Sequence, residues 1–528
     1  MKDNLDRRVV QATKWSAVTE VMARLVSPVA SVILARVLAP EAFGVVATLA
    51  MVIAFAEIFT DAGFQKYLVQ HEFADEADRE QSTTVAFWSN LVMSLVIWGV
   101  IALFSEPIAS LVGSPGMGLV LTVACVSIPL TAFSSIQTAL FKRDLDFRTL
   151  FKARLAAVLV PLLVTVPLAF LLRSYWALVI GTIVQNAVSA LLLTVFSKWK
   201  PRFFYSFDKL REMLSFSVWS MVEAVSIWLT SYADIFIVGR ALDQHYLGLY
   251  KTSISIVTQI LGLVIGATTP VLFSALSKLQ SDEGEFQGLF FKFQKYVALL
   301  VIPLGVGMFF YSDLVTRLLL GGQWMETAGF IGLWALTGAF VIVLSHYSSE
   351  VYRAKGRPKL SVLAQVLHIV VLLPAVLIAV RYGYKPLYIT RSLVRLEMIL
   401  VNLVIMYAVV KISPWKMLAG IAPSCAGAAV MGAAAWGMLH GIPALLSGDA
   451  SALLSGPLSG SASAALAGPG ALSGSLLYQA GTVLVCIAVY VAVICVFPEE
   501  RKLLLSFRAK SRPELARDGT DRWQNLKT

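Results

Sequence analysis

Runs of about 20 apolar residues, parted by short polar breaks, recur along the whole chain. They lack the every-second-residue alternation of barrel strands, so each predicts a helix able to cross a bilayer. Fourteen spans are predicted, at residues 15–38, 42–64, 83–104, 117–140, 151–172, 175–196, 214–240, 246–276, 290–310, 328–352, 360–380, 387–410, 418–440 and 477–497. Pro129, Pro161, Pro167, Pro303 and Pro374 fall inside spans, where each removes a backbone donor and bends its helix.

One stretch occurs twice. Shifted by 204 positions, Trp15 falls on Trp219, Ser16 on Ser220, Val18 on Val222, Ile33 on Ile237, Arg36 on Arg240, Leu38 on Leu242 and Gly44 on Gly248. In both copies an apolar helix leaves the membrane at Arg-x-Leu and the next enters at a glycine eight residues after the arginine. The pattern predicts a duplicated bundle, a common construction of secondary transporters.

Composition agrees. The 528 residues are 58% hydrophobic and 14% charged, with mean hydropathy +0.76, against roughly 25% charged in soluble domains. The net charge of +11 would suggest nucleic acid in a soluble protein. Here the positive-inside rule accounts for it, and no nucleic-acid partner is expected. With the N-terminus in the cytoplasm, only Arg36, Arg173, Arg240, Arg317, Arg381 and Lys385 lie outside. Four more cations lie within spans, leaving 33 of the 43 Lys and Arg on the cytoplasmic side. Both termini are then cytoplasmic. Arg7, Arg8 and Lys14 ahead of the first run imitate a signal peptide, but Glu20 and Arg24 interrupt that run and keep it as a membrane helix.

The expected organisation is an all-α polytopic membrane protein. A first lobe covers residues 1–196, with spans one to six, and a second covers 214–410, with spans seven to twelve. Residues 197–213 are a basic, aromatic cytoplasmic linker, predicted as an amphipathic helix on the inner leaflet. Residues 411–497 hold two extra spans around a Gly/Ser-rich external loop, 441–475, and 498–528 form a cytoplasmic tail. Cys125, Cys425, Cys486 and Cys495 sit in apolar spans without paired spacing and read as small buried hydrophobes.

No P-loop, H-E-x-x-H or G-x-S-x-G is present, so neither catalytic residues, metal ligands nor a resident cofactor are expected. Asp144-Leu-Asp146 reads as a charged turn rather than a sugar-nucleotide site. Gly321-Gly-Gln-Trp324 reads as an external turn with an interfacial tryptophan. Charges within spans are costly unless paired or wet, and therefore informative. Arg24, Lys251, Arg391 and Arg395 are candidates to bind an anionic group, since arginine presents a planar fork of donors suited to phosphate. Glu20, Glu57, Asp61, Glu223 and Asp234 are candidates to bind a coupling cation or to balance those charges. His346, Glu350, His368 and Glu397 add to the intramembrane set.

Three segments carry a resemblance. Residues 33–44, Ile-Leu-Ala-Arg-Val-Leu-Ala-Pro-Glu-Ala-Phe-Gly, resemble the first-helix signature of Wzx-type polysaccharide exporters. Residues 61–70 look like the end of their second helix. Residues 234–240, followed by Leu247-Gly-Leu-Tyr250, look like their seventh-to-eighth junction. Phe64, Lys66, Tyr67 and Ile235 depart from the pattern. The resemblance, strongest for colanic acid and succinoglycan exporters, implies the MOP/MATE-like fold of two six-helix lobes, here with two extra C-terminal helices. It implies a monomeric flippase for undecaprenyl-pyrophosphate-linked oligosaccharide in the bacterial inner membrane, cycling by alternating access among membrane lipids. A polysaccharide polymerase and a chain-length regulator are the implied partners, and a sodium ion or a proton is the candidate coupling ion. The alternatives are a MATE-like multidrug exporter and a peptidoglycan lipid-precursor flippase.

Overall fold

The computed structural model describes residues 15, 22–23, 26–61, 63–280, 282–357, 359–441, 476–498 and 500–501. The Gly/Ser-rich loop, the tail beyond residue 501, Glu20 and Arg24 lie outside the described residues. Within them every regular element is helical. In chain order these are α1 (Val26–Val37), α2 (Pro40–Asp61), α3 (Phe64–Gln70), α4 (Glu76–Leu103), α5 (Ser105–Leu111), α6 (Gly118–Ala124), α7 (Ser127–Arg143), α8 (Phe147–Val160), α9 (Val166–Leu172) and α10 (Trp176–Phe196). There follow α11 (Phe207–Ala241), α12 (Gln244–Lys278), α13 (Glu283–Phe310), α14 (Ser312–Leu319), α15 (Ala328–Val341), α16 (Ser348–Ala354), α17 (Lys359–Ala379), α18 (Tyr384–Ile405), α19 (Pro414–Trp436) and α20 (Leu476–Val496).

Twelve helices among the described residues are long and apolar enough to cross a membrane, and each coincides with an expected span. The other two expected spans correspond to α1, of which the apolar part Val26–Val37 is described, and to α11. Polar residues between the apolar runs start the helices. Asp75, Asp146 and Asp282 accept from the backbone amides of Asp78, Thr149 and Glu285 at 2.7, 3.1 and 3.0 Å, closing first turns that would otherwise leave bare donors.

The linker differs from expectation. Residues 198–206 are not helical, and the helix begins only at Phe207. Pro201 brings no amide to a helix there. The segment is tied elsewhere: Trp88 Nε1 donates to the Arg202 carbonyl at 2.8 Å, and Phe203 stacks on Trp88.

The chain packs as two compact units. One holds residues 1–266, 315–334 and 365–394, the other 267–314, 335–364 and 395–528. In the first, Val45, Leu49, Ile101, Leu121 and Ile128 form one apolar core. Phe64, Tyr67, Leu68, Phe87 and Ile136 form another, which absorbs two of the residues that depart from the family pattern. In the second, α19 and α20 pack on each other and on α13. Gly427 admits the Tyr490 ring, Gly432 admits Phe310, and Tyr490 Oη donates to the Leu299 carbonyl at 2.9 Å. The same unit buries a polar network around Asn402, whose amide donates to Ser345 Oγ at 2.8 Å and accepts from Tyr352 Oη at 3.0 Å. All four cysteines are free; Cys125 and Cys486 are buried, and Cys495 is exposed.

Candidate functional site

Two features of the first unit stand out, and the repeated stretch builds both. The first is a closure where the two copies meet. Gly44 opens onto the Gln244 carbonyl, and Gly248 onto the Pro40 carbonyl. Position 40 is the repeat equivalent of 244, as 44 is of 248, so the contact is reciprocal. A Cβ on either glycine would overlap the opposing carbonyl, and backbone atoms cannot step aside as a flexible side chain can.

The duplicated arginines complete the symmetry. Arg240 Nη1 donates to the Leu111 carbonyl at 3.1 Å, at the end of α5, and Arg36 Nη2 donates to the Leu318 carbonyl in the last turn of α14. The two acceptor helices correspond as well, opening on Ser105-Glu106 and Ser312-Asp313. Each arginine therefore supplies a cation to the carbonyl-rich end of a short helix in the opposite half.

Further bonds seal the contact. Gln244 donates to the Gly113 carbonyl at 2.9 Å and to Ser114 Oγ at 2.8 Å. Gly113, at φ +82, lies against the Gly239 carbonyl, a place and a conformation that only glycine tolerates. Gln323 and Trp324 both donate to the Ala35 carbonyl, at 2.8 and 2.6 Å. Trp324 is fully buried rather than interfacial, because its ring fills space against Phe43.

The second feature is a buried ion pair. Asp234 on α11 accepts from Arg391 Nε at 3.1 Å and from Tyr250 Oη at 2.8 Å. Arg391 lies with its guanidinium 5.0 Å from the Trp334 ring centroid, and Tyr250 is fully buried. Two residues that sequence placed in different roles, an anion binder and a charge balancer, are thus one pair. Lys251, half-buried, holds Nζ 5.8 Å from the Tyr232 ring.

The remaining candidates lie elsewhere. Glu57 meets the Thr131 hydroxyl and Asp61 meets the Gln65 side chain, both near the C-terminal end of α2. Glu223 belongs to α11. Arg395, one turn beyond Arg391 on α18, and Glu397 belong to the second unit. Asp144 takes Arg79 at 3.1 Å and Asp146 caps α8, so the D-x-D is used structurally. Among the described residues no group of His, Cys, Asp and Glu is arranged to hold a metal. Sequence reasoning missed Gln244 and His245, whose only signal was their place in the second copy of the repeat, and it gave Gln323, Trp324 and Tyr250 no part in a contact or an ion-pair site.

The helices and their packing define an integral membrane protein with the fold of MOP-superfamily transporters. A solved structure titled lipid II flippase MurJ, inward closed conformation, superposes with a TM-score of 0.69 at 14% identity, covering 93% of this chain and all of that one. Residues 33–329, more than half of the sequence, match the family described as polysaccharide biosynthesis protein, and the chain belongs to that family. The succinoglycan biosynthesis transport protein ExoT of Rhizobium meliloti is 27% identical over 63% of this chain and 66% of its own length. The lipopolysaccharide biosynthesis protein WzxC of Escherichia coli is 22% identical over 71% of this chain and 76% of its own.

Proposed function

We propose that the protein translocates lipid-linked oligosaccharide units for exopolysaccharide, capsule or O-antigen synthesis across the bacterial inner membrane. One observation carries this furthest: the two copies of the repeat meet backbone to backbone, in a contact that must part for a path to open at that end. Alternating access proceeds by rocking one repeat against the other, and a reciprocal contact between repeats supports such a motion. The family, and relatives named for succinoglycan transport and lipopolysaccharide biosynthesis, point to glycan as the cargo.

In this reading the cargo is an undecaprenyl-pyrophosphate-linked oligosaccharide, whose prenyl tail stays in lipid. Arg24, Lys251, Arg391 and Arg395 take its anionic headgroup. Arg391 is engaged by Asp234 while the repeats are in contact, so a pyrophosphate has to compete with that carboxylate, which ties occupancy to rearrangement. Glu20, Glu57, Asp61 and Glu223 balance charge or take a sodium ion or proton. Both termini lie in the cytoplasm, the protein works as a monomer, and a polymerase and chain-length regulator act on the product outside.

The test is mass spectrometry of lipid extracts from a deletion strain. Accumulation of a polyprenyl-pyrophosphate oligosaccharide with loss of surface polymer is expected; unchanged polyprenyl lipids with polymer still made would remove the reading. Arg395→Ala at normal protein level is expected to lower polymer yield, and wild-type yield would take Arg395 out of the headgroup site.

A further inference from the structure

At the rim of the repeat contact, His245 lies between two carboxylates. Its Nδ1 is 2.8 Å from Glu41 Oε1 and its Nε2 is 3.2 Å from Glu326 Oε2. Glu41 and His245 are repeat equivalents, one 204 positions after the other. The symmetry that sets Gly44 on Gly248 therefore sets an acid on a base. A neutral imidazole has a single N–H and satisfies one carboxylate only; both are satisfied when the ring carries two protons. The bridge joins α2, the start of α12 and the turn before α15, and so spans the contact between the two repeats.

We propose that His245 is a proton-binding site of the transport cycle: closure of the repeat contact takes up a proton there, and opening releases it. The inference rests on the flippase reading for its place in transport, and on the positive-inside orientation for its placement at the outer face. The groups facing His245 and its partners are few. Tyr246 and Asp243 lie beside it on its own segment, Tyr246 also meets Glu326, and Tyr384 of α18 stacks on Tyr246. Histidine is the side-chain type whose charge ordinarily changes near pH 6.5. By linkage, a closed form that holds the proton more tightly is favoured at low outer pH and loses that advantage as pH rises through the histidine range. All three side chains are partly exposed, so the effect is modest, about threefold to tenfold in the closed-to-open ratio.

Thr48 supplies the reporter. It sits just inside Gly44, buried, with its hydroxyl on the Gly44 carbonyl. The full chain carrying Thr48→Cys, with the four native cysteines replaced by Ala, is placed in proteoliposomes. Labelling by a membrane-impermeant maleimide is followed from pH 5.5 to 8 on one face at a time, each rate divided by that of the unfolded chain at the same pH. The expected result is a rate that rises severalfold with outer pH, is flat in His245→Gln, and stays low in His245→Lys. A flat wild-type profile, or an unchanged profile in His245→Gln, would overturn the proposal. A response to inner pH alone would overturn its placement at the outer face. Lipid analysis of the deletion strain tests transport separately: a pH-linked contact in a protein whose loss accumulates no lipid-linked glycan would leave the proton site standing and remove the flippase reading.

Discussion

The repeat contact and the Asp234–Arg391 pair lie in one compact unit and are opposite in kind. The contact is symmetric at its centre: Gly44 answers Gly248, Arg36 answers Arg240, and the two acceptor helices answer each other. The pair is not. The first-copy equivalents of Asp234 and Tyr250 are Ala30 and Val46, which carry no charge or hydroxyl. Duplication preserved the geometry of closure, which depends on small residues and backbone carbonyls, and left the chemistry inside free to diverge. A path that opens at alternate ends needs two halves that part evenly, whereas recognition of an irregular anion needs a site that is not its own mirror.

If that division holds, perturbing each region gives a distinct signature. The largest effect is expected from Asp234→Ala, which leaves Arg391 buried without its counter-charge, at about 3–5 kcal/mol. Thermal unfolding in detergent is expected to show a large loss, and Asp234→Ala combined with Arg391→Met to recover much of the stability without recovering transport. Equal stability of the single and double variants would show that the pair is not the cause.

Next come Gly44→Ala and Gly248→Ala, where overpacking against a carbonyl costs about 1–3 kcal/mol. These substitutions oppose closure only, so the fold is expected to survive while the Thr48→Cys reporter labels at least about fivefold faster. Because both break one contact, the double variant is expected to add little to either single. Full additivity would mean the glycines act separately.

Arg36→Ala and Arg240→Ala are smaller, about 1 kcal/mol each, since each removes charge-assisted bonding at an exposed helix end. The symmetry predicts closely similar reporter rates for the two. A strong difference between them would break the equivalence of the halves.

Much of this was legible in the sequence. Twelve spans are located by apolar length alone, because the bilayer imposes one length on every crossing and a helix is the only open structure that satisfies its own backbone there. The repeat was legible too, since both copies still need a glycine at the contact and an arginine eight residues before it. The first part of the linker, residues 198–206, was misread as helical because its mix of cations and aromatics suits a surface helix, whereas Pro201 and the grip of Trp88 on Arg202 hold it open; residues 207–213 are helical. Trp324 was misread because a tryptophan beside an external turn is usually interfacial; only packing shows it pressed against Phe43 with its indole on Ala35.

By itself, then, the sequence determined the positions of the twelve apolar helices and the repeated stretch, which follow from local polarity and from a constraint the membrane applies equally everywhere. Which charges meet was decided by tertiary structure. Asp234 and Arg391 are 157 residues apart, and Arg36 reaches a carbonyl 282 residues away. Pairing at such separation depends on how helices from both halves are laid side by side, and a carbonyl that accepts a bond leaves no trace in the identity of its residue.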